Sequence, residues 1–258
     1  MSERLKDKVA IVTGGGRGIG EAIARAFAKE GAAVVIAEKD ARTGTATADA
    51  IVAAGGRARF VETDVTKDSD IERAVAQTVE TFGPPTNLVN NAGANVFYEP
   101  LDLPDAEWQR CFALDLDAAW KCARAVLPTM LKLGAGNIIN IASVHAFKII
   151  PHTFPYPVAK HALLGMTRAL GVEYADRGIR VNAIAPGYIE TQIVADYWQT
   201  FPDPEAERRR VSAIQPPKRL GRPEEIAATA VFLASDEAPF LNAEVIVVDG
   251  GRSAVFHD

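Results

Sequence analysis

The sequence predicts one doubly wound α/β domain built on a seven-stranded parallel sheet. Short apolar runs alternate with longer helical patterns along the whole chain, which is typical of parallel strands joined by right-handed helical crossovers. The apolar runs are continuous instead of alternating with polar residues, which indicates strands covered on both faces. No linker rich in Ser, Gly or Pro interrupts the sequence, so we expect a single domain over residues 1–258.

The first two strand–helix pairs establish this pattern. VAIVT predicts a buried strand at 9–13, and apolar residues at helical spacing predict a helix over 19–29. AAVVIA predicts the second strand at 32–37, and a helix follows over 41–54. Both pairs fit the order of strand, crossover and strand that a parallel sheet requires.

The third and fourth pairs continue the alternation. ARFVETDV predicts a strand at 58–65, followed by a helix over 68–82. NLVNNAG predicts a strand at 87–93, and a long helical pattern then covers 105–133. The repetition therefore extends through the middle of the chain.

The last strands enclose one interruption of the pattern. NIINIAS at 137–143, IRVNAIAP at 179–186 and EVIVVDG at 244–250 are predicted strands, and a helix is predicted over 156–176. An insertion of about 35 residues, 188–222, follows the sixth strand. Loops of this length are usually functional, so we expect a helical lid, the alternative being a surface excursion without a role. The aromatic residues of the insertion are Tyr188, Tyr197, Trp198 and Phe201.

Composition and charge narrow the class of protein. Hydrophobic residues make up 48% and charged residues 24%, the balance of a globular chain with enough apolar material for a core. The net charge of −5 argues against a nucleic-acid or anionic-membrane partner. Cys111 and Cys122 lie in one predicted helix and form no disulfide framework. Without a signal-peptide pattern or a run of about 18 apolar residues, we expect a cytoplasmic protein with no membrane span.

A glycine-rich turn between the first strand and the first helix predicts a nucleotide site. It reads TGGGRGIG over 13–20, and glycines there let the backbone approach a pyrophosphate. The helix N-terminus adds free N–H groups and a partial positive charge. The lysine of a P-loop is absent, so we expect a Rossmann-type dinucleotide site. Its candidate contacts are Gly14, Arg17, Gly18 and Ile19.

Glu38 predicts which nicotinamide cofactor binds. It lies eighteen residues after Gly20, at the end of the second strand. A carboxylate at this position can accept hydrogen bonds from the ribose hydroxyls and repels a 2′-phosphate, which favours NAD over NADP. Lys39, the next residue, and Arg17 of the glycine turn are expected to lie nearby and to favour NADP.

Three further residues suggest proton-transfer chemistry. Ser143 ends the fifth strand, and Tyr156 and Lys160 are i and i+4 on one helix, so they project from the same face. With the glycine turn, the segment NNAG at 90–93 and Pro-Gly at 186–187, this pattern resembles the short-chain dehydrogenase/reductase family over essentially the whole chain.

The chemistry of these residue types supports the resemblance. Removing a hydride from a carbinol carbon requires a group that accepts the hydroxyl proton, and tyrosine has an ordinary pKa near 10. An ammonium about 4 Å away contributes about 4 kcal/mol at an effective dielectric near 20. Lys160 is therefore expected to lower the pKa of Tyr156 towards neutral pH. Ser143 is expected to hold the substrate oxygen, with His145 bordering the substrate pocket.

The resemblance implies further cofactor contacts. Asp64 and Val65 look like the pair at the adenine ring, and Tyr156 and Lys160 also face the cofactor, with the lysine on the nicotinamide ribose. The other implied contacts are Asn91, Ala92 and Gly93 beneath the adenosine ribose, and Pro186, Gly187, Ile189 and Thr191 near the nicotinamide and pyrophosphate.

The sequence departs from the family pattern at Asp115. The family has a catalytic asparagine 28 residues before the serine, and Asp115 stands there in this chain. The asparagine mainly offers a main-chain carbonyl, so we expect the Asp115 carbonyl to take that role, while a carboxylate that alters the proton relay remains the alternative. Leu241-Asn242 also replaces the usual Thr-Gly before the last strand.

Three histidines invite a metal interpretation that their spacing does not support. His145, His152 and His161 are seven and nine residues apart, match no compact ligand pattern, and have no acidic or Cys cluster beside them. We therefore expect no metal.

The sequence thus predicts an NAD-dependent oxidoreductase. The expected substrate is a small polar alcohol, ketone or hemiacetal, such as a sugar, polyol or (deoxy) sugar acid, as in the family members that the chain resembles most. The alternatives are an NADPH-dependent 3-ketoacyl-type ketoreductase and a non-catalytic nucleotide sensor. The resemblance implies a homotetramer through the fourth and fifth helices, with apolar surface from Trp108, Phe112, Trp120 and Val126.

Overall fold

Seven parallel strands form the central sheet, as the sequence predicts. The computed structural model describes residues 3–256. The strands are β1 Val9–Thr13, β2 Ala33–Glu38, β3 Arg57–Glu62, β4 Asn87–Asn90, β5 Phe97–Tyr98, β6 Gly136–Ile141, β7 Phe154–Pro155, β8 Ile179–Pro186 and β9 Val245–Val248. The sheet has the order β3-β2-β1-β4-β6-β8-β9, and β5 and β7 form a separate antiparallel pair.

Helices connect these strands and cover the sheet. They are α1 Gly18–Lys29, α2 Ala41–Ala53, α3 Asp68–Phe82, α4 Asp105–Phe112, α5 Ala118–Leu133, α6 Tyr156–Glu173, α7 Gln192–Trp198, α8 Pro204–Ile214 and α9 Pro223–Ala234. The predicted lid at 188–222 contains α7 and α8, which pack around Trp198, Val211 and Leu220. No helix in the range 3–256 has the length and apolar character needed to cross a bilayer.

The core lies on both faces of the sheet, because successive strand residues point in opposite directions. Val12 and Ile36 pack with α1 and α9 on one face. Ile11 and Val35 pack with α3 and α5 on the other. This two-sided burial explains why the strands read as continuous apolar runs.

The strand order reverses between β1 and β4. β1 pairs with β2 on one side and with β4 on the other, in both cases in parallel. The connections that follow β1 and β4 therefore diverge, and a crevice opens at the carboxyl ends of the two strands. In an open parallel sheet this is where ligands bind.

Four predicted strands end earlier in the structure, β6 and β9 by two residues and β3 and β4 by three. β3 ends at Glu62 and β4 at Asn90, whereas the sequence predicted 65 and 93. The amide of Asn91 donates to the Thr13 hydroxyl instead of a ladder carbonyl. The residues beyond these strand ends leave the sheet and enter the crevice.

The predicted helix over 105–133 is interrupted. A π-helical turn at Ala113–Asp117 separates α4 from α5, so Cys111 and Cys122 lie in different helices. Such turns insert an extra residue and are frequent at functional sites. The prediction that Val126 contributes apolar surface is wrong, because Val126 is 1% exposed and lies in the core beneath α5. Trp108 and Trp120, by contrast, are exposed.

Candidate active site

One cleft brings the predicted site residues together at the carboxyl ends of the strands. Its volume is about 740 Å³, within the range of small-molecule sites. The predicted cofactor residues that line it are Gly14, Arg17, Gly18, Ile19, Glu38, Asp64, Val65, Asn91, Ala92, Gly93, Tyr156, Lys160, Pro186, Gly187, Ile189 and Thr191. Asp115 and Ser143 line the same cleft, whereas His145 lies outside this lining.

The glycine turn places backbone against backbone. Gly14 has φ of +62°, and a Cβ on Gly20 would lie 2.1 Å from the Gly14 carbonyl oxygen. The cap residue of α1, Arg17, makes no side-chain cap hydrogen bond. The first N–H groups of α1 therefore face the cleft uncapped, which suits a pyrophosphate.

Asn91 ties the glycine turn to the end of β4. Its side-chain amide donates to the carbonyl oxygens of Thr13 and Gly14, each at 3.0 Å. The Thr13 hydroxyl accepts from the amides of Asn91 and Ala92 at 3.0 and 3.1 Å. The Asn91 side chain thus holds the two strand ends that form the floor of the cleft.

Glu38 lines the cleft at the end of β2. Its carboxylate accepts hydrogen bonds from the amides of Gly16, Lys39 and Asp40, at 3.1, 2.9 and 3.1 Å. These bonds orient the carboxylate beside the glycine turn. The sequence predicts that Lys39 and Arg17, two cations that also line the cleft, act against the preference for NAD.

Lys39 is engaged by Asp64 on the neighbouring strand end. Its ammonium lies 3.0 Å from the Asp64 carboxylate. The hydroxyl of Thr66, with Lys39 as a further contributor, lowers the pKa of Asp64 to about 2. Lys39 is thereby paired with an anion, while its side chain stays 75% exposed.

Tyr156 and Lys160 project from the first two turns of α6 into the cleft. The Lys160 ammonium lies 5.4 Å from the centre of the Tyr156 ring. Burial raises the pKa of Tyr156, and the charge of Lys160 and a hydrogen bond with Ser143 oppose this shift. Lys160 was expected to lower the pKa of Tyr156 towards neutral pH. It does act in that direction, but burial has the larger effect and the net shift in the pKa of Tyr156 is upward.

Ser143 lies two residues beyond the end of β6 and caps a short helical turn. Its hydroxyl accepts from the His145 amide at 3.1 Å. The carbonyl of Ile141, two residues earlier, accepts from Lys160 at 3.3 Å. The end of β6 therefore positions both the serine and the lysine beside the tyrosine.

Asp115 places its carboxylate against Lys160. Oδ1 lies 3.2 Å from the Lys160 ammonium, and the side chains are 0% and 5% exposed. The π-helical turn carries Asp115 inward, and a Cβ on Gly93 would lie 2.7 Å from Oδ1. Gly93 therefore leaves the space that this carboxylate occupies.

Aromatic rings surround the end of the cleft beside Tyr156. Phe97 and His145 each lie 5.8 Å from the Tyr156 ring, and Tyr197 of the lid lies 5.8 Å from Phe97. Burial lowers the pKa of His145, which favours the neutral imidazole. The ring of His145 thus packs against Tyr156 from outside the cleft lining.

Sequence analysis missed several residues of this site. Phe97 belongs to the two-residue strand β5, which is too short for periodicity to reveal. Asn95 and Arg110 line the cleft from outside any recognised motif. Their positions depend on the loop after β4 and on the π-helical turn, neither of which has a sequence signal that we recognised.

The three histidines lie in different surroundings. His161 contacts the Pro157 carbonyl through Nδ1 at 2.8 Å, and His152 pairs with Glu99. Among residues 3–256 there is no group of three or more potential metal ligands.

Comparison with known proteins identifies relatives over nearly the full chain. A family model described as enoyl-(acyl carrier protein) reductase matches residues 14–253. The chain is 38% identical to 2-(S)-hydroxypropyl-CoM dehydrogenase 3 of Xanthobacter autotrophicus, over 99% of this chain and 100% of that relative. It is 40% identical to cis-4-hydroxycyclohexanecarboxylate dehydrogenase of Sinomonas cyclohexanicum, with the same coverage of both chains.

A solved structure agrees with this relationship. The crystal structure of levodione reductase superposes with a TM-score of 0.93 at 35% identity, covering 97% of this chain and 99% of that chain. The glycine turn, the tyrosine and lysine that line the cleft, and these relatives lead to one conclusion. The chain belongs to the short-chain dehydrogenase/reductase family, as its motifs predicted.

Proposed function

We propose that the protein is an NAD-dependent dehydrogenase that interconverts a secondary alcohol and its ketone, with Tyr156 as the acid–base residue. The observation that carries this proposal is the convergence of Ser143, Tyr156 and Lys160 at one end of a cleft whose other end is bordered by Glu38. Its relatives are named as dehydrogenases of hydroxylated substrates, which supports the same reaction class.

The cleft suits a dinucleotide from end to end. The uncapped amides of α1 suit the pyrophosphate, and Glu38 suits the hydroxyls of an adenosine ribose. Ile189 and Thr191 line the same cleft, Thr191 beside Gly18 of the glycine turn, and Lys160 lines the cleft at the end beside Tyr156. A nicotinamide bound there supplies a two-electron hydride acceptor.

The chain's own residues handle the proton. Ser143 orients the substrate oxygen towards the Tyr156 hydroxyl, and in the oxidation direction the phenolate accepts the alcohol proton. Lys160 supplies the positive charge that favours this phenolate. Lys160 is buried and Tyr156 is partly buried, so little water weakens the interaction between them.

The substrate class is the second part of the proposal. Sugars, polyols and sugar acids are the candidates that the sequence favours. Cyclic alcohols are a second class, favoured by the rings of Phe97, His145 and Tyr197 beside Tyr156, because aromatic faces pack against aliphatic rings. One relative's name, cis-4-hydroxycyclohexanecarboxylate dehydrogenase, supports this second class.

A substrate screen tests the function. Purified protein is incubated with NAD or NADP and a panel of sugars, polyols, sugar acids and cyclic alcohols, and reduced cofactor is followed by absorbance. We expect turnover with NAD and a preference for one of the two substrate classes. Cofactor binding without turnover of any alcohol or ketone would favour the sensor, and activity confined to NADPH and ketones would favour the ketoreductase.

We predict that Glu38→Ala weakens the preference for NAD. Loss of a charge-assisted hydrogen bond costs about 1.5–3 kcal/mol, so kcat/KM for NAD should fall about tenfold or more, while NADP gains from reduced repulsion. The ratio of kcat/KM for the two cofactors measures the effect. Glu62→Ala is the matched control, because Glu62 is the register partner of Glu38 on β3 and lies outside the cleft lining. An unchanged ratio would assign discrimination to another residue.

We also propose that the protein is a cytoplasmic homotetramer. Trp108 and Trp120 expose apolar surface on α4 and α5, and Trp108 stacks on Phe112 at 4.5 Å. Cys111 and Cys122 are free thiols, which suits a reducing compartment. Sedimentation velocity of the wild type and Trp120→Glu tests the assembly, and an unchanged tetramer in the variant would exclude the α5 surface.

A further inference from the structure

We propose that the Asp115 carboxylate is a counter-charge to Lys160 within the site. By neutralising the lysine, it raises the pH above which Tyr156 loses its own proton and can act as the proton acceptor. The inference rests on the proposed role of Tyr156 as the acid–base residue. It makes Asp115 a positioning residue, which acts on the reaction through Lys160 and Tyr156.

The ion pair exists before any substrate binds. Asp115 Oδ1 lies 3.2 Å from Lys160 Nζ, and both side chains are almost completely buried. Lys160 also donates to the Ile141 carbonyl at 3.3 Å. The ammonium is therefore held between a carboxylate and a carbonyl, on the same side of α6 as the Tyr156 ring.

Counting charges shows the consequence for Tyr156. With an asparagine at position 115, ionised Tyr156 would form a neutral pair with the buried ammonium. Burial raises the pKa of Asp115, and the charge of Lys160 opposes this shift. With Asp115 ionised, the ammonium is already neutralised, and a phenolate becomes a second anion beside one cation in a site of low polarity. Like charges disfavour ionisation, so Tyr156 keeps its proton to higher pH.

The other groups that face Asp115 do not cancel this effect. From α4, burial raises the pKa of the Cys111 thiol to about 12, so it is neutral in the relevant range. Arg110 lies on the same helix, but its guanidinium contacts Glu107 at 2.6 Å. Lys160 and Tyr156 on α6 are the remaining titratable groups, and Asp115 raises the pKa of both.

A preference between the two reaction directions follows. Ketone reduction needs protonated Tyr156 as the proton donor, and alcohol oxidation needs the phenolate as the acceptor. A tyrosine that stays protonated at neutral pH supports reduction there, whereas oxidation accelerates only at alkaline pH. The expected kcat profile for oxidation rises with pH, and that for reduction falls.

Asp115→Asn tests the inference, because the substitution removes the charge and keeps the shape. We expect the alkaline rise of kcat for oxidation to move to lower pH by half a unit or more, and the decline of kcat for reduction to move by a similar amount. Asp117→Asn is the matched control, since Asp117 lies on the same π-helical turn, carries the same charge and is exposed. The control should leave both profiles unchanged.

A spectroscopic titration gives a readout that does not need turnover. Tyrosinate absorbance is measured against pH in the cofactor-free protein, with and without Tyr156→Phe, and the difference reports Tyr156 alone. The same difference is taken in the Asp115→Asn background, where the Tyr156 transition should move to lower pH. Asp115→Ala is measured in the same way if Asp115→Asn does not fold.

The outcomes separate this inference from the proposed function. A Tyr156 titration and kcat profiles that Asp115→Asn does not shift would overturn the inference, even if kcat falls, because a merely structural role lowers kcat without moving the pH dependence. Wild-type protein that turns over no alcohol or ketone would overturn the proposed function, and the absorbance titration would still decide whether Asp115 controls Tyr156.

Discussion

Tyr156→Phe is expected to lower kcat by about 10²–10⁴-fold, the range that a general acid–base group supplies. The substitution removes the hydroxyl that exchanges a proton with the substrate and leaves the ring in place against Phe97 and His145. Cofactor affinity should stay nearly unchanged, because most residues of the dinucleotide cleft lie elsewhere. Steady-state kinetics and a fluorescence titration with NADH measure the two effects separately.

Tyr174→Phe provides the control for this experiment. Tyr174 caps the far end of α6 and its ring packs on the Arg177 guanidinium at 4.4 Å, so the same loss of a hydroxyl occurs away from the cleft. We expect wild-type kcat for this control. If Tyr156→Phe keeps more than about a tenth of the wild-type rate, Tyr156 is not the acid–base residue.

Lys160→Met is expected to reduce both activity and stability. Removing one member of a buried ion pair typically lowers the free energy of unfolding by about 3–5 kcal/mol, because the remaining charge is left without compensation. Here the remaining charge is Asp115, whose side chain is fully buried. Denaturant unfolding measures the loss, and Lys132→Met, at an exposed position on α5, should change stability by no more than about 0.5 kcal/mol.

The stability of Lys160→Met should depend on pH in a defined direction. Burial raises the pKa of Asp115, and without Lys160 the main effect that opposes this shift is lost. A carboxyl group with a raised pKa in the folded state stabilises the fold at low pH, and this contribution is lost as the pH rises through that pKa. The variant should therefore be less destabilised in acid than at neutral pH.

A double variant checks the cause of this destabilisation. Lys160→Met combined with Asp115→Asn removes the isolated charge and should recover most of the lost stability, which gives a large coupling energy in a double-mutant cycle. A double variant no more stable than Lys160→Met alone would mean that the lysine contributes through packing of its chain and not through its charge.

Most of the sheet could be predicted from sequence, because burial on both faces produces continuous apolar runs. The seven predicted strands correspond to the seven strands of the main sheet, and the parallel order follows from the helical crossovers. The ends of β3 and β4 were placed too late. Whether a polar residue such as Asn91 continues a ladder depends on a partner, here Thr13, that is 78 positions away.

The candidate site was predictable where its chemistry depends on short spacings. The glycine turn requires close backbone approach within a few residues, and Tyr156 and Lys160 share a helix face through i and i+4 spacing. Such relations are local, so residue types and spacing are enough to suggest them. The family of the protein followed from these motifs.

Tertiary structure decided the features that join distant segments. Val126 points into the core and Phe97 reaches Tyr156, although neither position has a local signal for it. Asp115 and Lys160 are separated along the chain, and the π-helical turn and the small Gly93 bring them to 3.2 Å. The sequence by itself determined the reaction class, because that chemistry is encoded in local motifs. The electrostatic balance around Tyr156 depends on charges that only the packing of α6 against the π-helical turn brings into contact.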